Sequence, residues 1–271
     1  MSSASPLFSA RPGKRAVEQT WLMYTPVWGA ITGVIMLGGF ARSWSDPALM
    51  TFGASLALGT LVLPMLTMPP EERALPWSSR TSTAMTLVIV VLAFGMNVFQ
   101  TPFFFDVLHM HYGFHARWEL DRNPLFLYLV TVPYFATYSV LACMAFRFVR
   151  GLPLPPAVSM LCIAIVPFSI AFLETLLNAN PFMRSLFCYD DTLFALTFGT
   201  LAYGISFVLA LPLWLRIGES ARPVSLAAIV MSALLVVALD TAALFVVRVA
   251  IAPLVTTVHD DAPPGGGCLT D

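Results

Sequence analysis

Residues 225–251 read SLAAIVMSALLVVALDTAALFVVRVAI, and this stretch decides the fold. It carries two ionisable side chains, Asp240 and Arg248, in an otherwise apolar or small-residue run. A helix needs about 20 mostly apolar residues to cross a bilayer. Six more stretches pass the same test: 20–40, 48–67, 82–105, 124–146, 156–178 and 192–216. The breaks between them carry turn chemistry, such as Pro69-Pro70-Glu71-Glu72-Arg73 and the polar stretch from Asp106 to Asn123. Composition agrees with this reading. The 271 residues are 58% hydrophobic and 11% charged, against roughly 25% charged in a soluble domain. So few charges do not cover a soluble surface, and so much hydrophobicity excludes a disordered chain. A net charge of −1 gives no electrostatic case for nucleic acid as a partner. The expected fold is an all-α polytopic membrane bundle of about seven transmembrane helices. Residues 1–19 are expected as a cytoplasmic tail and 20–256 as the helical domain. Residues 257–271, rich in Pro and Gly, are expected as a disordered tail.

Counting Lys and Arg by side orients the bundle. Nine fall on the side of the N-terminus: Arg11, Lys14, Arg15, Arg73, Arg80, Arg147, Arg150, Arg216 and Arg222. Five fall opposite: Arg42, Arg117, Arg122, Arg184 and Arg248. The N-terminus is therefore expected in the cytoplasm, in a bacterial inner membrane or the endoplasmic reticulum. The first twenty residues lack the apolar core of a signal peptide. Of four cysteines, Cys143 and Cys162 lie in apolar runs and read as small hydrophobes. Cys188 and Cys268 fall on the far side, where they could pair, although nothing in their spacing requires it. No internal repeat divides the seven spans, which counts against a transporter.

An ionisable residue inside the membrane is costly and marks a site by default. Glu174, in the outer half of the fifth span, and Asp240, near mid-membrane in the seventh, are the acids so placed. The ordinary reading of Asp240 and Arg248 is an ion pair or a snorkelling arginine. However, eight helical residues put about 12 Å between them, so they do not pair directly. Asn97 and Thr101, four apart, share a helix face, with Phe105 following near the span end. Their ordinary reading is hydrogen bonding between helices. Tyr24 and Trp28, also four apart, read ordinarily as an interfacial aromatic belt; they are expected in the inner half. His109, His111 and His115 raise the question of a metal, but no His-Glu-x-x-His signature accompanies them. No metal is expected, and no nucleotide-binding motif appears.

Several stretches in order resemble the cycloeucalenol cycloisomerase (cyclopropyl sterol isomerase) family. They are Lys14-Arg15 followed by Leu22 to Trp28, Asn97 to Leu108, Tyr112-Gly113-Phe114 with Trp118, and Leu173-Glu174-Thr175-Leu176 with Ala179-Asn180. Phe207 to Arg216 and Leu239-Asp240 extend the likeness, which covers Lys14 to Pro253. Departures exist. The plant pattern has His at the position of Pro102 and Lys at that of Asp106. The loop histidines have no counterparts, and the loop before Asn123 is one residue longer. Any role of the family's histidine is lost at Pro102.

The resemblance implies an enzyme that opens the cyclopropane bridging carbons 9 and 19 of a sterol and leaves a ring double bond between carbons 8 and 9. No cofactor is implied, because the rearrangement has no net redox change. It implies a proton donor, a tolerated cation and a base. A buried carboxyl favours its neutral form, so Glu174 is the expected acid, with Asp240 as the alternative acid or its partner. Expected contacts with a sterol arriving from the lipid phase are Tyr24, Trp28, Asn97, Phe99, Thr101, Phe104, Phe105, Tyr112, Trp118, Thr175 and Asn180. A proton-coupled transporter or a non-catalytic sterol-binding protein is the alternative reading.

Overall fold

A computed structural model describes residues 7–114, 116–219, 225–255 and 268–269. Seven helices are long and apolar enough to cross a membrane. They are α1 (Pro12–Leu37), α2 (Asp46–Leu66), α3 (Thr81–Asp106), α4 (Leu125–Gly151), α5 (Pro156–Asn178), α6 (Thr192–Arg216) and α7 (Leu226–Val255). The chain is thus a multi-pass integral membrane protein built as an all-α bundle. Of the expected tail beyond residue 256, only Cys268 and Leu269 lie among the described residues.

The helix ends follow from local chemistry. Pro12 opens α1 at a position where a missing N–H costs nothing. Glu72 caps α3 by accepting from the Thr81 amide (2.6 Å) and hydroxyl (2.7 Å). Asp191 accepts from the Phe194 amide at the start of α6, and Ser225 from that of Ala228 at the start of α7. Two helices contain π-helical turns. A π-helical turn occupies Ala195–Gly199 in α6 and another Val247–Ile251 in α7.

Helix α1 begins eight residues before the hydropathy boundary because its charged first turns are buried in ionic contacts. Lys14, fully buried, donates to the carbonyls of Trp214 (2.7 Å) and Leu215 (2.9 Å) and pairs with Glu219 (3.2 Å). Arg147 donates to both carboxylate oxygens of the buried Glu18 (2.8 and 3.0 Å) and reaches Glu219 (3.2 Å). Partial burial pushes the Glu219 carboxyl up, but Lys14, Ser9 and Arg147 outweigh it and hold it below the usual range. This network joins the ends of α1, α4 and α6.

Helices α3 and α4 are the most deeply embedded, and α5 is the most exposed. The closest pairings are α2 with α4, α5 with α6, and α3 with α7 and α4. Gly204 lets α5 approach α6, because a Cβ there would overlap the Phe168 ring. At the far end, β1 (Met110–Tyr112) pairs antiparallel with β4 (Phe187–Tyr189). Strands β2 (Glu119–Leu120) and β3 (Asn123–Pro124) form a hairpin whose turn residues, Asp121 and Arg122, both have positive φ. A disulfide joins Cys188 in β4 to Cys268. Asp106 ties this end together by accepting from Arg122 (2.8 Å) and Arg248 (3.0 Å). Arg248 therefore pairs with Asp106 and not with Asp240, as the 12 Å estimate required.

Candidate active site

The sequence of α5 places Glu174 one turn from its outer end. Its residue is half-buried, while Oε2 is enclosed and has no hydrogen-bond partner. The hydroxyls of Tyr203 on α6 and Tyr138 on α4 bear on this carboxyl. Tyr138 Oη nevertheless completes no hydrogen bond. The three groups are neighbours rather than a locked network, which leaves room for a proton to change hands.

An aromatic shell surrounds them. Phe207 packs against Tyr138 (5.2 Å between ring centres) and Tyr203 (4.9 Å). Phe104 meets the Tyr203 ring edge-on at 5.4 Å. Tyr134 continues the shell from Tyr138 to Trp28, at 5.9 and 4.5 Å. Above lies the β1–β4 pair. Burial raises the Tyr112 phenol, and the Glu174 charge adds to this. Burial likewise raises the Tyr189 phenol, with Tyr112 and Glu174 adding. Both therefore stay protonated at neutral pH and act as neutral hydroxyls.

Asp240 on α7 is completely buried, and neither carboxyl oxygen has a partner. Its charge also bears on Tyr203, so this one tyrosine senses both carboxyls. A buried unpaired polar group is expensive, and such exceptions ask for a functional reason.

The other expected contacts divide. Phe104, Phe105, Tyr112 and Trp28 belong to or border the shell; Phe105 also receives Arg122 over its ring at 4.9 Å. Trp28 lies just past the midpoint of α1, which runs from Pro12 to Leu37. Its indole donates to Thr137 (3.2 Å), and Tyr24 donates to the Leu56 carbonyl (3.2 Å). Asn97 and Thr101 do share a face, but both accept from Asn123, at 2.9 and 3.4 Å. The buried knot anchors the start of α4 to α3. Thr175 bonds the Ala171 carbonyl of its own helix (3.0 Å), and Asn180 caps the turn after α5. Phe99 (53% exposed) and Trp118 (49% exposed) lie largely open at the surface.

Sequence reading gave no role to Tyr134, Tyr138, Tyr189 or Tyr203. A signal existed, since Tyr134 and Tyr138 are four apart in α4, and Tyr203 and Phe207 are four apart in α6. His111 meets Asp190 at 3.1 Å, and Cys268 lies within 4.8 Å of these ligand atoms. The Cys268 sulfur is committed to the disulfide, so no thiolate completes a metal set there. His115 lies outside the described residues.

With this geometry in view, comparison with known proteins is informative. The chain is similar to the cycloeucalenol cycloisomerase of Arabidopsis thaliana. The two are 27% identical over 277 residues, covering 99% of this chain and 95% of the relative. The relative is an isomerase by name, and the resemblance read from Lys14 to Pro253 extends along nearly the whole chain. No protein-family profile and no solved structure matches the chain.

Proposed function

We propose that this protein is a membrane sterol isomerase that opens the 9,19-cyclopropane ring of cyclopropyl sterols to give a Δ8 sterol. The end-to-end likeness to a cycloeucalenol cycloisomerase carries the reading. The Glu174 site supports it, because it holds a carboxyl, tyrosine hydroxyls and aromatic faces together within the bundle.

The chemistry balances on one carboxyl. Neutral Glu174 gives its proton to carbon 19, and the electrons of the C9–C19 bond form the new C–H bond. A cation is left at carbon 9. The C8–H electrons then form the C8=C9 bond, and the proton passes to the Glu174 carboxylate. The enzyme ends as it began. In this reading the aromatic rings of Phe104, Tyr203 and Tyr138 stabilise the cation. Asp240 is the alternative acid, or a partner that holds Glu174 protonated. The exposed side of α5 offers a route for a rigid apolar ligand from the lipid phase.

The test is expression in a host fed cycloeucalenol, with mass spectrometry of the extracted sterols. Wild-type protein should yield the ring-opened isomer. Glu174→Gln should cut conversion at least 1000-fold, roughly the span assigned to acid–base groups, while sterol binding persists. Unchanged cyclopropyl sterol with folded wild-type protein would remove the isomerase reading. Full activity in the Gln variant would remove Glu174 alone. A proton-coupled transporter would instead show pH-gradient-driven flux with no chemical change.

A further inference from the structure

A second feature lies at the other end of the bundle and shares no lining residue with the Glu174 site. A groove of about 510 Å3 runs between the N-terminal end of α3 and the facing parts of α6 and α7. Its walls are apolar and include Ala84, Leu209, Leu213, Ile229, Val236 and Leu239. Its polar lining lies at helix ends, where Arg80 and Arg216 stand with Ser78 and Ser79.

The charge of the mouth selects the occupant. Neither Arg80 nor Arg216 pairs with an acidic side chain among the described residues. Arg80 donates to the carbonyls of Leu75 (2.9 Å) and Arg73 (3.0 Å) and so is held in place with its charge uncompensated. Glu72 also lines the mouth, but its carboxylate is turned to the Thr81 cap. Among the described residues the lining therefore carries two positive charges against one negative. Length points the same way. From Ala228 to Leu239 the α7 wall is about 16 Å long at 1.5 Å per residue. That matches one leaflet of a bilayer whose hydrocarbon core is about 30 Å thick. A cationic mouth at the interface with a leaflet-deep apolar wall is suited to a phosphate headgroup with an acyl chain below it. A sterol offers only a neutral hydroxyl to two arginines.

We propose that this groove is a specific site for one anionic phospholipid, with its phosphate between Arg80 and Arg216 and an acyl chain along α7. The lipid closes the gap between α3, α6 and α7 at this end. The inference does not depend on the isomerase reading.

Native mass spectrometry of the full chain in neutral detergent tests it. Phosphatidylglycerol should give a single retained adduct at a concentration at least 10-fold lower than phosphatidylcholine of the same chains. Glycerol phosphate alone should give none, because the acyl chain is required. Arg80→Gln/Arg216→Gln should reduce the preference to within twofold. Ser232→Trp fills the groove while leaving both arginines in the sequence and should remove the adduct; it decides the matter if the double variant does not fold. Arg42→Gln, at the far end, should leave lipid binding unchanged. Retention of the preference by a folded double variant would overturn the proposal. So would an adduct that survives in Ser232→Trp, or one that a cyclopropyl sterol displaces one for one.

Discussion

At the residue scale, Tyr203 is the informative position. Glu174 and Asp240 were legible in the sequence because charge within an apolar span is conspicuous. Tyr203 was not, because an aromatic residue in a membrane helix ordinarily reads as packing. Only the folded bundle shows that α6 brings it under the influence of two carboxyls, one on α5 and one on α7. Its hydroxyl bears directly on Glu174 and can hold the neutral form of that carboxyl in position. Tyr203→Phe keeps the ring against Phe104 and Phe207 and deletes only the hydroxyl. It should therefore retain folding and sterol binding while lowering turnover about 100-fold, the lower end of the range of a positioned proton-transfer group. A sterol-feeding time course measures this. A variant that loses binding and turnover together would mark the hydroxyl as a substrate anchor instead.

At the element scale, the seven spans were legible and the cover over the site was not. Apolar runs report helices directly, and the boundaries failed mainly where buried ions replace apolar residues, as at Lys14 and Glu18 of α1. The β1–β4 pair carries no comparable signal. Each strand is three residues long, and the partners come from separate loops. The disulfide from Cys188 fixes this cover to Cys268, closing a chain separation of 80 residues. Because the bilayer already restrains α6 and α7, the bond acts chiefly on the cover and little on assembly. Cys188→Ser/Cys268→Ser should keep the bundle folded, with thermal unfolding shifted by only a few degrees. Hydrogen exchange at Met110 to Tyr112 should accelerate at least 10-fold, since the strand loses its tether. Equal protection in the two proteins would mean that the His111–Asp190 contact and the Tyr112 packing suffice.

At the scale of the whole molecule, the two ends differ in chemistry, and the difference orients the protein. One end holds Lys14, Glu18, Arg147 and Glu219 in buried ionic contacts, together with the arginines of the groove. The other holds the Cys188–Cys268 disulfide and the strand pairs. Nine basic residues against five predict that the first end faces the cytoplasm. Disulfides persist in oxidising compartments, so the second end belongs in the periplasm or a lumen. These arguments are independent, one resting on arginine and lysine counts and the other on thiol chemistry, and they agree. A fluorescent protein that matures only in the cytoplasm should therefore report when fused before Met1. Alkaline phosphatase, which needs its own disulfides, should be active when fused after Asp271. Reversed signals would place the disulfide in a reducing compartment and the basic end outside, contradicting both arguments at once. The orientation also separates the two sites by leaflet. The Glu174 site then lies toward the outer leaflet and the groove opens to the inner one, so a sterol and an anionic phospholipid would approach from opposite sides without competing.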